Sequence, residues 1–167
     1  MTTITHRTEN IAVPPTLRAG SALMAIAGLG FIGYAVIFFI RNFTGAFLEL
    51  GIGPNQVDVG RDQIREFSLP LYHYIAHLHI AVSGFIAATG LATAGLAWYG
   101  VRRAQLWAYV TAIAAPVLGL AVALPAHYPY HLDTLGHLGL IYLATALFIV
   151  GALLALKPLL KSPRSHT

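Results

Sequence analysis

Apolar residues in this chain do not alternate with polar ones; they run in long blocks. Four blocks stand out: about Gly20 to Ile40, about His79 to Tyr99, about Leu106 to Leu124 and about Leu135 to Leu156, none with an Asp, Glu, Lys or Arg inside it. A bilayer core of about 30 Å needs about 20 apolar residues as helix. Each block therefore predicts a transmembrane helix. Strands of a membrane barrel would alternate over only about ten residues, and no such pattern is present. The expected fold is an all-α integral membrane protein, a four-helix transmembrane bundle running antiparallel, up and down.

These blocks divide the chain into a tail at 1–19, a transmembrane domain at 20–156 with a long loop at 42–69, and a second tail at 157–167. The first block does not read as a cleaved signal peptide, because Phe39, Ile40, Arg41 and Asn42 offer no small-residue cleavage site. It is expected to stay as a helix. Basic residues then set the orientation, since cytoplasmic loops carry the excess of Lys and Arg. With the N-terminus inside, Arg7, Arg18, Arg102, Arg103, Lys157, Lys161 and Arg164 are cytoplasmic, and Arg41, Arg61 and Arg65 are not. The expectation is N-in and C-in, multi-pass, in the cell (cytoplasmic) membrane.

Composition strengthens this picture and narrows the chemistry. The 167 residues are 57% hydrophobic and 10% charged, with a mean hydropathy of +0.70. An ordinary soluble domain carries about 25% charged residues, so lipid is needed to cover this surface. The net charge of +4 comes from residues flanking apolar blocks, which membrane topology explains better than nucleic-acid binding. Cysteine is absent. That excludes disulfides, thiolate-ligated clusters and covalent c-type haem.

Within the 42–69 loop, Gly51-Ile52-Gly53-Pro54-Asn55 reads as a turn. Asp58 is a candidate cap for a short helix through Arg61, Asp62, Arg65 and Glu66. The next helix is expected to begin at Pro70 with Ser68 as its cap. Two stripes of small residues, Gly84-Ala88-Ala92 and Ala115-Gly119-Ala123, recur at every fourth position and would serve as helix contact faces. The short connection from Tyr99 to Gln105 should fold the second and third spans into a hairpin, and Pro116 should disturb the third.

Candidate chemistry lies in the histidines. Topology gathers six of the eight, His73, His77, His79, His127, His131 and His137, on the extracytoplasmic side. His73 and His77 stand four apart and share a helix face, a spacing known to hold divalent metals. The sequence His73-Tyr74-Ile75-Ala76-His77 lacks the glutamate of the metalloprotease motif. His79 points about 160° away from His77 at about 100° per residue. The ligand set favoured on these grounds is His73, His77, His131 and His137 with Asp133 in support, and Glu66 as a further candidate. Imidazole ligands suit Zn, Cu or Fe.

Three functions compete at this level. The first is a membrane protein with an extracytoplasmic histidine cluster binding a transition metal. A non-catalytic accessory or assembly subunit of a larger membrane complex, a respiratory one included, is the second, with other membrane subunits as partners besides the lipid bilayer. Lesser readings are a b-type haem held by His77 and His137, and a pH sensor built on the clustered histidines. No charged residue lies within any span, which counts against a pump or transporter.

Overall fold

The computed structural model describes residues 13–161. Arg7 and Arg164, which contribute to the orientation, and the outer parts of both tails lie outside them. Six α-helices and no strand occur among the described residues: α1 Pro15–Thr44, α2 Pro54–Val57, α3 Arg61–Phe67, α4 Leu69–Gly95, α5 Leu106–His127 and α6 Leu135–Lys161. α4 is prolonged by a π-helical turn, Leu96–Gly100, and a 3-10 turn, Val101–Arg103. Four of these helices are long and apolar enough to cross a membrane: α1, α4 with its extension, α5 and α6.

Their exposed sides are unlike those of a water-soluble bundle. Phe85, Leu118 and Val122 are more than two-thirds exposed in mid-helix, while Ala27, Ala97, Ala108 and Ala112 are buried. Large apolar side chains on the outside, with small residues among those buried where helices meet, suit a lipid surround, where close backbone approach replaces hydrophobic drive between helices. The helices suggest a multi-pass membrane protein.

α1 is the hub. It packs along α4 on one side and α6 on the other, whereas α5 has little contact with α6. Two glycines make the approach possible. A Cβ on Gly28 would lie 2.7 Å from the Gly90 carbonyl oxygen, and one on Gly20 would lie 2.6 Å from that of Gly151. The pairing of early α1 with late α4 and late α6 makes both contacts antiparallel.

The anticipated small-residue stripes do not mediate packing. Gly84, Ala88 and Ala92 are exposed, as are Ala115, Gly119 and Ala123, and a Cβ on Gly84 or Gly119 would meet nothing within 4 Å. The partner of α4 is α1 instead, engaged through Gly90 and Ala94. The hairpin of α4 and α5 does close at its turn: Ala104 adopts a left-handed φ of 59°, and Ala108 packs directly onto Gly100. Tyr109 then donates its hydroxyl to the Ala152 carbonyl at 3.0 Å, fastening the start of α5 to α6. Beyond that turn α5 stands off, and its middle, around the buried Pro116, borders crevices on both sides.

The connection from α1 to α4 is an ordered cap over the opposite, histidine-rich end. Phe47, Leu48, Ile52 and Ile64 form a small core with Ala76 of α4. α3 begins one residue after Gly60, whose N–H donates to the Gln63 side chain at 2.6 Å. Asp58 does not cap it: this residue ends α2 with a left-handed φ of 58°. Ser68 does cap α4, accepting from the Leu71 N–H at 3.3 Å.

Candidate metal centre

Four side chains converge where this cap meets the helix ends. Glu49 comes from the capping segment, His79 from the end of the third turn of α4, His127 from the last residue of α5 and His137 from the first turn of α6. The Glu49 carboxylate reaches both ways, with Oε2 3.1 Å from His79 Nε2 and Oε1 3.2 Å from His137 Nε2. His127 Nε2 lies 2.9 Å from His137 Nε2. Ligand atoms of Glu49, His127 and His137 all fall within 4.8 Å of one another. His137 is 3% exposed, and His79 and Glu49 are mostly shielded.

Backbone carbonyls decide which nitrogen of each ring carries hydrogen. His79 Nδ1 is 3.0 Å from the Ile75 carbonyl, His127 Nδ1 is 2.9 Å from that of Ala123, and His137 Nδ1 is 2.8 Å from that of Leu50. A carbonyl only accepts, so every Nδ1 must donate. In their neutral forms His127 and His137 therefore turn bare Nε2 lone pairs inward, whereas the contact of His79 with the Glu49 carboxylate, itself only an acceptor, needs hydrogen on Nε2 as well. Lone pairs at 2.9 Å repel unless a cation sits between them. The rings of His127 and His137 also stack, their centroids 4.9 Å apart. Nitrogens bound at 2.0–2.1 Å to one tetrahedral metal stand about 3.3 Å apart, so these two nitrogens need to part by only a few tenths of an ångström, with the Glu49 oxygen drawn in from within 4.8 Å.

The capping segment is held to α6 by more than the ligands. Thr134 donates its hydroxyl to the Gly51 carbonyl at 2.8 Å. Gly51 has φ +71°, and any Cβ there would overlap the Gly136–His137 peptide. Only glycine fits, by backbone conformation and by space alike. Phe38 of α1 packs its ring against that of His79, with centroids 5.6 Å apart.

Burial alone would push the Glu49 carboxyl up; the hydrogen bond with His79 and the charges of His137, His79 and His127 outweigh it and hold it below its ordinary 4.5. A carboxylate depressed in the folded state stabilises the fold above its unfolded value and loses that contribution as pH falls through the folded one. In metal-free protein, the stability advantage of the wild type over Glu49→Gln is thus expected to persist near pH 6 and to shrink as the pH drops below about 4.5. Thermal melts of both proteins across that range check this; an advantage that grows on acidification would contradict it.

Of the residues the sequence singles out, His137 sits in the cluster. His73, His77, His131 and Asp133 are exposed, and among the described residues the group that gathers three metal-binding side chains is Glu49, His127 and His137. His131 occupies a left-handed turn at φ 56°, beyond the end of α5. His79, not His77, faces His137 across Glu49. The half-turn between His77 and His79 was legible in the sequence, but not which of the two faces looks inward. Glu49 had a signal of its own: it is flanked by Phe47, Leu48 and Leu50, a setting that buries a carboxylate and so requires partners for it.

Comparison with known proteins finds no matching family model, no matching curated protein and no matching solved structure.

Proposed function

We propose that this chain is a multi-pass protein of the cell membrane, N-in and C-in, that holds one transition-metal ion at its extracytoplasmic end. Glu49, His127 and His137 are the ligands, and His79 orients Glu49 through its second oxygen. The observation that carries this reading is the convergence of Glu49, His127 and His137, with both imidazoles held by Nδ1–H to carbonyl hydrogen bonds. Such bonds are the device by which metalloproteins fix imidazole tautomers and raise ligand basicity. Nitrogen-rich donors of this kind suit Zn, Cu, Fe or Ni. Three protein ligands leave a coordination position open, the arrangement of catalytic rather than structural zinc.

The test is metal content after purification in mild detergent. The full chain is expected to hold about one ion, and His127→Ala to hold less than about a tenth of that. The double variant His73→Ala/His77→Ala should retain the wild-type content, which separates this ligand set from the one the helix spacing favours. Metal-free wild type after reconstitution with Zn, Cu, Fe and Ni would overturn the reading and leave a proton as the cation shared by the two imidazoles. So would full metal content in His127→Ala.

A further inference from the structure

One turn deeper than the metal centre lies a crevice of about 240 Å³. Its walls continue the ligand-bearing faces: Val82 follows His79 by three residues, Ala123 precedes His127 by four, and Ile141 follows His137 by four. Each of these spacings is one turn along the same side of a helix. Tyr34 joins the two features directly, since its ring lines the crevice and its hydroxyl donates to the His137 carbonyl at 3.3 Å. The crevice therefore lies one helical turn from the centre, with Tyr34 between the two.

Its chemistry is hydrocarbon. Phe31, Phe85, Ile86 and Leu120 add to the lining, and the other hydroxyl there, on Thr89, is turned back to the Phe85 carbonyl at 2.9 Å. No uncommitted side-chain donor faces an occupant, so nothing along its length would recognise a polar molecule. The crevice also lies at the depth of the apolar helical blocks, where a chain from the bilayer can reach it. A second crevice of about 270 Å³, on the other side of α5, reaches Tyr109 and Ala152 near the opposite end of the bundle and does not continue the ligand faces.

We propose that the centre takes a single-chain amphiphile of fatty-acid type, its anionic oxygen head at the open position of the metal and its hydrocarbon chain in the crevice between α4 and α5. This rests on the metal-centre reading above and names the substrate class of that site.

Gly119 provides the test. It lines the crevice, and a Cβ there meets nothing within 4 Å, so Gly119→Leu fills the space without pressing on the fold. The full chain, loaded with Co(II) in detergent, is titrated with acetohydroxamate and with dodecanohydroxamate while the visible spectrum of the metal is followed. Both should perturb the spectrum, the long-chain probe at lower concentration. In Gly119→Leu the affinity for the long-chain probe should fall by roughly 10-fold or more, with acetohydroxamate unchanged. Comparing the two proteins under one detergent condition cancels partitioning of the probe into micelles. Unchanged long-chain affinity in the variant, or no preference for chain length in the wild type, overturns the proposal while leaving the metal centre standing. Failure to bind Co(II) at all removes the centre, and the proposal falls with it.

Discussion

Replacing His137 with alanine is expected to abolish the metal binding proposed for this chain and to loosen the segment that carries Glu49, both from one substitution. His137 uses both ring nitrogens. Nε2 faces Glu49 and His127, and Nδ1 holds the Leu50 carbonyl at 2.8 Å. Removing the ring deletes a ligand and leaves that carbonyl unpaired, which costs about 1–3 kcal/mol where it stays buried. Residues that only orient a ligand typically cost 10–100-fold in metal affinity when removed, and that is the range expected for His79→Ala. A direct ligand should cost more, so His137→Ala should weaken binding by well over 100-fold. Metal titration measures the first effect and hydrogen exchange over 45–53 the second. A variant that binds metal as the wild type does, or whose capping segment exchanges no faster, would show that His137 is not the keystone described here.

The second large effect concerns packing rather than chemistry. Gly28→Leu places its Cβ against the Gly90 carbonyl oxygen at 2.7 Å and the Ala94 nitrogen at 2.8 Å. Both obstacles are backbone, which lacks the freedom of a side-chain tip to swing aside. Overpacking typically costs 1–3 kcal/mol, and here the whole α1–α4 contact must open, so a loss of about 3 kcal/mol or more is expected. Gly33→Leu is the control. Its Cβ meets nothing within 4 Å on the same helix, and it should be neutral or slightly stabilising, because glycine is a poor helix former. Unfolding in mixed detergent micelles compares the two; equal stabilities would show that α1 and α4 do not depend on close approach. Displacing α4 also moves His79, so Gly28→Leu should weaken metal binding as a by-product.

The number of long helices and the start of α4 were legible because each depends on local properties, a run of apolar residues or a serine and proline at a helix start. The full lengths were not, since α1 runs from Pro15 to Thr44 and α6 on to Lys161. Nor was it legible which helix is central. α1 offers Gly20 and Gly28 at a spacing no more conspicuous than that of Gly84 or Gly119, yet the first pair contacts backbone and the second pair contacts nothing. Helices rich in Gly and Ala present small residues on several faces, and only a partner tells them apart. The same ambiguity governs the site. Sequence pointed to the end of the molecule where this group lies, and His137 belongs to both sets, but Glu49 and His127 stand 78 residues apart in the chain and only the fold joins them. Pro125 adds to this, since it lies inside α5 without ending it, carrying His127 one turn further on a rigid helix than a proline-rich loop would suggest.

α5 has an unusual mechanical standing in this bundle. Its start is clamped by the contact of Ala108 with Gly100 and by the bond of Tyr109 to Ala152. Its far end is steadied by His127, and its middle runs between two crevices. It is a beam supported at both ends. At the far end the Tyr128 hydroxyl, 2.9 Å from that of Tyr142, shares the load with His127, while the α1–α4–α6 core keeps its own backbone contacts. Deflection of α5 is then greatest in its middle, where a crevice borders it on either side.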